Sequence, residues 1–157
     1  MEARLLWKQV TNVLAGSSPA VPTIFMVRNE RPPNFARVAS VFPEAACSGI
    51  LFSYGPDIYN PSGAEIPDWL MAHENKHCER QSDPELWWEM YLTNDDFRYN
   101  EELIAHREEY RVLRATTKDR NARARLAMRT AKRLVAPLYN FQPPRSLTQA
   151  YKDIRGV

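Results

Sequence analysis

A chain of 157 residues is long enough for one domain with a core of its own. With 44% hydrophobic residues, 25% charged residues and a net charge of +2, it is neither a disordered chain nor a strong polyelectrolyte. Two cysteines are too few for a disulfide framework, so two reduced thiols are expected.

Residues 3–14 place Leu6, Val10, Val13 and Leu14 on one helical face, and Gly16 ends that helix. This opening stretch lacks the basic start, apolar run and small-residue cleavage site of a signal peptide. No apolar run reaches the roughly 18 residues of a membrane span, so a soluble chain without a membrane partner is expected. Three β-like runs follow, at 23–27, 38–42 and 49–54. Gly55-Pro56 turns the chain, and 57–59 is a short fourth piece. A small, mostly antiparallel sheet is the expectation for this part.

From Glu65 onward the pattern is helical. Pro67 suits the first turn of a helix, and Asp68 sits near the positive end of its dipole. That helix runs to about Gln81, and Ser82-Asp83-Pro84 closes it. A second covers 85–92, and 93–96 is a loop or cap. A third begins near Tyr99 or Asn100 and ends about Ala115. A fourth spans 120–135 on a stripe of Ala124, Ala127, Met128, Ala131, Leu134 and Val135, with Pro137 as its stop. Ser146 caps a last helix over 147–154. The fold class is therefore α+β in one domain, 1–157. Residues 1–64 form a helix plus a small sheet, and 65–157 form a largely helical part.

The first long helix carries His73-Glu74-Asn75-Lys76-His77, which reads H-E-x-x-H. Positions i and i+4 share a helix face, so His73 and His77 can offer two imidazoles to one metal ion. Glu74 flanks that site as a general base. Chance alone produces such a pattern in roughly one chain of this length in a few hundred. The bland alternative is a charged surface helix with two solvated histidines. Cys78 points about 100° away from His77 and is not counted as a ligand.

Catalytic zinc takes three protein ligands, so a further donor is required. Glu102-Leu103-Ile104-Ala105-His106 supplies a carboxylate 25 residues beyond His77, together with the remaining histidine one turn on. Ala105 would let two helices approach closely. Glu101 is the adjacent alternative to Glu102. Asp83 lies six residues after His77, but without the glycine turn that such a ligand position needs.

H-E-x-x-H followed by a helical E-x-x-A resembles the gluzincin metallopeptidases over about residues 65–115. More loosely, Arg80-Gln81 after the motif resembles small metallopeptidase-like proteins encoded by bacteriophages. The resemblance implies a zincin-like fold, Zn²⁺ held by His73, His77 and Glu102, and peptide-bond hydrolysis in which Glu74 is general base on a zinc-bound water. It implies His106 as the partner of a ligating histidine or as the transition-state group, and residues 49–54 as an edge strand that binds a peptide or protein substrate; as oxyanion donor His106 is the first candidate, with Tyr99 and Tyr110 as runners-up. Lys76, at a motif position usually uncharged, departs from the pattern. Trp69, Trp87 and Trp88 are expected in the core.

Two other functional classes stay open. One is a virion structural or assembly protein on a peptidase-like fold, whose partners would be phage structural proteins. It would place the chain in the host cytoplasm or in a virion. The other is nucleic-acid binding through residues 111–133, which hold nine Lys or Arg and one acid, Asp119. A solvated basic face is favoured over that second class, because no nucleic-acid motif accompanies it.

Overall fold

The structure, a computed structural model, describes residues 26–47 and 49–156. Over those residues the chain is α+β and mostly helical, with one three-stranded sheet near its N-terminal end. The helix expected at 3–14 and the first residues of the run at 23–27 lie outside the described residues.

The strands are β1 (Met26–Arg28), β2 (Phe52–Tyr54) and β3 (Asp57–Tyr59), in the order β1-β3-β2. β1 runs parallel to β3, with Met26 opposite Asp57, and β2 runs antiparallel to it, with Tyr54 opposite Asp57. The sheet is thus mixed, not mostly antiparallel. Gly55 has a φ of +59°, which suits the first central position of a type II′ hairpin turn, and the ring of Pro56 fixes the φ that follows.

Of residues 38–42, expected as a strand, 38–41 belong to helix α1 (Phe35–Val41) and Phe42 is its C-cap, leading into a 3₁₀ turn at Pro43–Ala46. Phe35, Val38, Phe42 and Ala45 recur at helical spacing, and this face packs on the aromatic wall of Phe52, Trp88 and Tyr91. Short apolar runs do not distinguish strand from helix by period alone. Here the shape of the surface opposite decides.

The remaining helices follow the sequence closely. α2 (Asp68–Arg80) carries the motif, and α3 (Pro84–Thr93) starts with Pro84 at its first position behind the Asp83 cap. α4 (Asp95–Ala115) begins a turn earlier than expected, because the Asn94 side chain accepts from the amide of Phe97 and nucleates the helix there. α5 (Arg120–Leu134) and α6 (Leu147–Arg155) are capped by Asp119 and Ser146. No helix among the described residues is long and apolar enough to cross a membrane.

Two cores flank the motif. One joins α1, β2, β3 and α3 through Val38, Phe42, Trp87, Trp88 and Tyr91. The other joins α4, α5 and α6 through Tyr110, Leu126, Ala131, Leu134 and Ile154. α2 and α4 make the most extensive helix–helix contact among the described residues. Ala105 is fully buried on the α4 face that carries Glu102 and Glu109, where its small side chain permits close approach.

Candidate metal centre

His73, Glu74 and His77 are all buried on one face of α2, and Glu102, His106 and Glu109 are buried on α4. They share the wall of a cavity of about 370 Å³. The Nε2 atoms of His73 and His77 stand 3.3 Å apart. His77 Nε2 lies 3.3 Å from Glu102 Oε1, and His73 Nε2 lies 3.6 Å from Glu102 Oε2. Zinc bonds of about 2.05 Å arranged tetrahedrally require donor separations of about 3.3–3.4 Å. The His73–His77 and His77–Glu102 separations match that spacing, and His73–Glu102, to the other carboxylate oxygen, is slightly longer.

A second trio is available. His73, Glu102 and His106 offer ligand atoms that all lie within 4.8 Å of one another. His106 Nε2 is farther from Glu102, at 3.8 Å, and also meets the Tyr139 hydroxyl at 3.2 Å. His77 Nε2 is the closer of the two to the Glu102 carboxylate, at 3.3 Å, whereas the His106 ring is the closer to His73, at 4.6 Å between centres against 5.0 Å for His77.

Glu102 supplies the test of fit. Tyr91 donates its hydroxyl to Glu102 Oε1 at 2.6 Å, yet the buried Oε2 has no hydrogen-bond partner among the described groups. Burial alone would raise this carboxyl, but His77, through charge and hydrogen bond, then His73 and His106 outweigh it and hold Glu102 well below the usual carboxylate range. A buried anionic oxygen left unpaired is costly, and a cation between it and the imidazoles removes that cost. Burial, followed by the charge of His77, pushes His73 down against the pull of Glu74 and Glu102, and His106 is pushed down likewise by burial and then by His73. Neutral imidazole is the form that binds metal. At His77 burial acts downward too, but the charge and hydrogen bond of Glu102 prevail and raise it.

Glu109 lies behind the histidines. Its Oε2 is 2.8 Å from His106 Nδ1 and 3.5 Å from His73 Nδ1, and Arg133 of α5 pairs with the same carboxylate. The carboxylate at His106 Nδ1 keeps the proton on that nitrogen and leaves Nε2 as an acceptor, whereas His73 Nδ1 is close to Glu109 but makes no hydrogen bond among the described groups. The tautomers are assigned from this network.

Glu74 is held by Ser53 of β2, whose hydroxyl donates to Glu74 Oε2 at 2.7 Å. Gln81 ties the same hairpin to the end of α2, accepting from the amide of Gly55 at 2.8 Å and donating to the carbonyl of Ser53 at 3.0 Å. Trp88 Nε1 donates to that carbonyl as well. This edge of β2, expected to receive substrate, is therefore already occupied at Ser53. Gly49, Ile50 and Leu51 line the cavity beside it.

Glu101, the alternative ligand, turns elsewhere: it accepts two hydrogen bonds from Arg80 at 2.7 Å and one from Trp87 Nε1 at 3.1 Å. Asp83 caps α3 through the amide of Leu86. Tyr99 donates to Asp153, and Tyr110 lies in the core of α4, α5 and α6, so neither lines the cavity. Trp87 and Trp88 are core residues as expected. Trp69 instead is half-buried and lines the cavity, with the Arg133 guanidinium 5.3 Å from its ring centre.

Tyr91, Tyr139, Ser53, Glu109 and Arg133 escaped the sequence reading. Only Glu109 carried a local signal, three residues beyond His106 and seven beyond Glu102 on one helix face. The two tyrosines are positioned by the buried Arg98, whose Nη1 donates to the carbonyl of Tyr91 at 2.7 Å and whose Nε donates to that of Tyr139 at 3.0 Å. Comparison with family models, curated proteins and solved structures returned no match.

Proposed function

We propose that this chain is a zincin-like, zinc-dependent peptidase that holds its metal through His73, His77 and Glu102. The observation that carries the reading is the convergence of His73 and His77 on the Glu102 carboxylate, His73 beside its unpaired Oε2 and His77 beside Oε1, with Glu74 buried next to them. Bound there, zinc supplies a Lewis acid that acidifies water and polarises a carbonyl.

The chain's own residues do the rest. Glu74, with one oxygen fixed by Ser53, takes the proton of the attacking water and delivers it to the leaving amine. The developing oxyanion needs a hydrogen-bond donor. Neutral His106 donates from Nδ1 to Glu109 and takes the single hydroxyl proton of Tyr139 at Nε2 at rest, so Tyr139 is the donor only once that proton turns from His106 to the oxyanion. Val38, Phe42 and Ile50 give the cavity an apolar wall beside the polar floor.

Substitution of Glu74 tests the reading. Glu74→Gln keeps the ligands and removes the base. It is expected to retain stoichiometric zinc and to lose 10²–10⁴-fold in kcat on a mixed peptide library, the usual contribution of general base catalysis. Wild-type protein that binds zinc stoichiometrically and cleaves neither peptides nor peptidoglycan crosslinks would favour the structural role in a phage particle.

A further inference from the structure

A second hollow, of about 610 Å³, opens where α4, α5 and α6 meet. Five arginines line it: Arg107, Arg111 and Arg114 from α4, Arg123 from α5 and Arg155 from α6, with Tyr110 and Ile154 among the remaining lining residues. No acidic residue lines it. The whole chain carries 21 basic and 19 acidic residues, so this is a local concentration of charge and not a reflection of composition. We propose that the hollow binds the phosphate groups of a polyanion.

The way the arginines are anchored supports this. Arg107 Nε donates to the backbone carbonyl of Asp153 at 2.7 Å, Arg123 Nε donates to that of Thr117, and Arg155 donates to the Tyr151 hydroxyl at 3.4 Å. Each of these acceptors fixes a guanidinium without neutralising it, and each uses one of its five donors. Arg111 alone has its charge offset, by two hydrogen bonds to Glu108. The C-terminal ends of α4 and α6 lie here and attract cations, which accounts for single contacts to carbonyls. It does not account for the donors that remain unused. Fixed, un-neutralised guanidiniums around one hollow repel each other, and a phosphate oxyanion relieves that repulsion through bidentate hydrogen bonds. Two sources offer the required chemistry: a free polyphosphate group and the backbone of a single-stranded nucleic acid.

Binding of tripolyphosphate by calorimetry, and of a short labelled oligothymidylate by fluorescence anisotropy, tests the proposal at near-physiological ionic strength. The triple variant Arg107→Gln, Arg123→Gln, Arg155→Gln should bind at least about tenfold more weakly. A charge-matched control with Arg31→Gln, Arg129→Gln and Lys132→Gln, all exposed and outside the hollow, should stay within about twofold of wild type. If the triple variant unfolds by circular dichroism, Arg114→Gln serves instead, with an expected loss of about threefold. For the oligonucleotide, three guanidinium contacts give a slope of about −2 in log affinity against log salt. Tripolyphosphate binding alone identifies the small-anion source, and a tighter oligonucleotide identifies the strand. Failure of both probes to bind, or equal losses in the hollow and control variants, overturns the proposal.

Discussion

Glu109 shows how a side chain that touches no substrate can set the character of a site. It hydrogen-bonds His106 Nδ1, stands 3.5 Å from His73 Nδ1 and is itself paired with Arg133. Glu109→Gln preserves size and every proposed ligand, but weakens the hold on the tautomers. It is expected to lower zinc affinity by 10–100-fold in a chelator competition assay, the usual cost of losing such an outer partner. An unchanged affinity would mean that Glu109 serves only to neutralise Arg133. The residue was legible in principle from its spacing along α4. Tyr91, Tyr139 and Ser53 were not, because each reaches the cluster from another element and no local period records that approach. The choice between Glu101 and Glu102 was likewise hidden. It follows from Arg80 and Trp87, which draw Glu101 to the other side of the helix.

Helices bring these groups together, and their approach depends on small side chains. Ala105 is fully buried between Glu102 and Glu109 on the face of α4 turned to the cluster. Ala105→Leu is expected to destabilise the fold by about 1–3 kcal/mol through overpacking and to weaken zinc binding as the helices part. Urea unfolding and chelator competition measure the two effects, and a loss of stability with unchanged affinity would place Ala105 outside the geometry of the site. Long helices were the most legible elements, since period, caps and proline stops agreed at α2, α3, α5 and α6. The run at 38–42 misled because five apolar-rich residues fit either period. Its helical form is settled by Phe42 and Ala45, which pack with Val38 on the aromatic cluster. The start of α4 was missed because the cap is Asn94, inside a stretch of polar residues that all resemble loop.

Across the whole molecule, the cluster sits between two cores that hold its supporting elements in place. Cys78, next to the motif, belongs to this framework: burial pushes its thiol up to about 12. The unfolded thiol ionises near pH 9 while the folded one stays protonated, so the unfolded chain binds fewer protons and stability falls as pH rises from about 9 toward 12. The limiting slope is about 1.4 kcal/mol per pH unit. Cys78→Ala should flatten the onset of the fall between about pH 8 and 9, where the thiol begins to titrate in the unfolded chain and tyrosines with an ordinary value near 10 are still almost wholly protonated, as read by urea midpoints at each pH. Equal slopes in the two proteins would show that the thiol is not the group responsible. The central claim is that one divalent ion is held between α2 and α4, and elemental analysis of the purified protein addresses it most directly. Wild type and Glu101→Ala should each carry close to one zinc per chain, and Glu102→Ala should carry almost none. Zinc retained in full by Glu102→Ala, or missing from a zinc-supplemented wild type, would contradict the account.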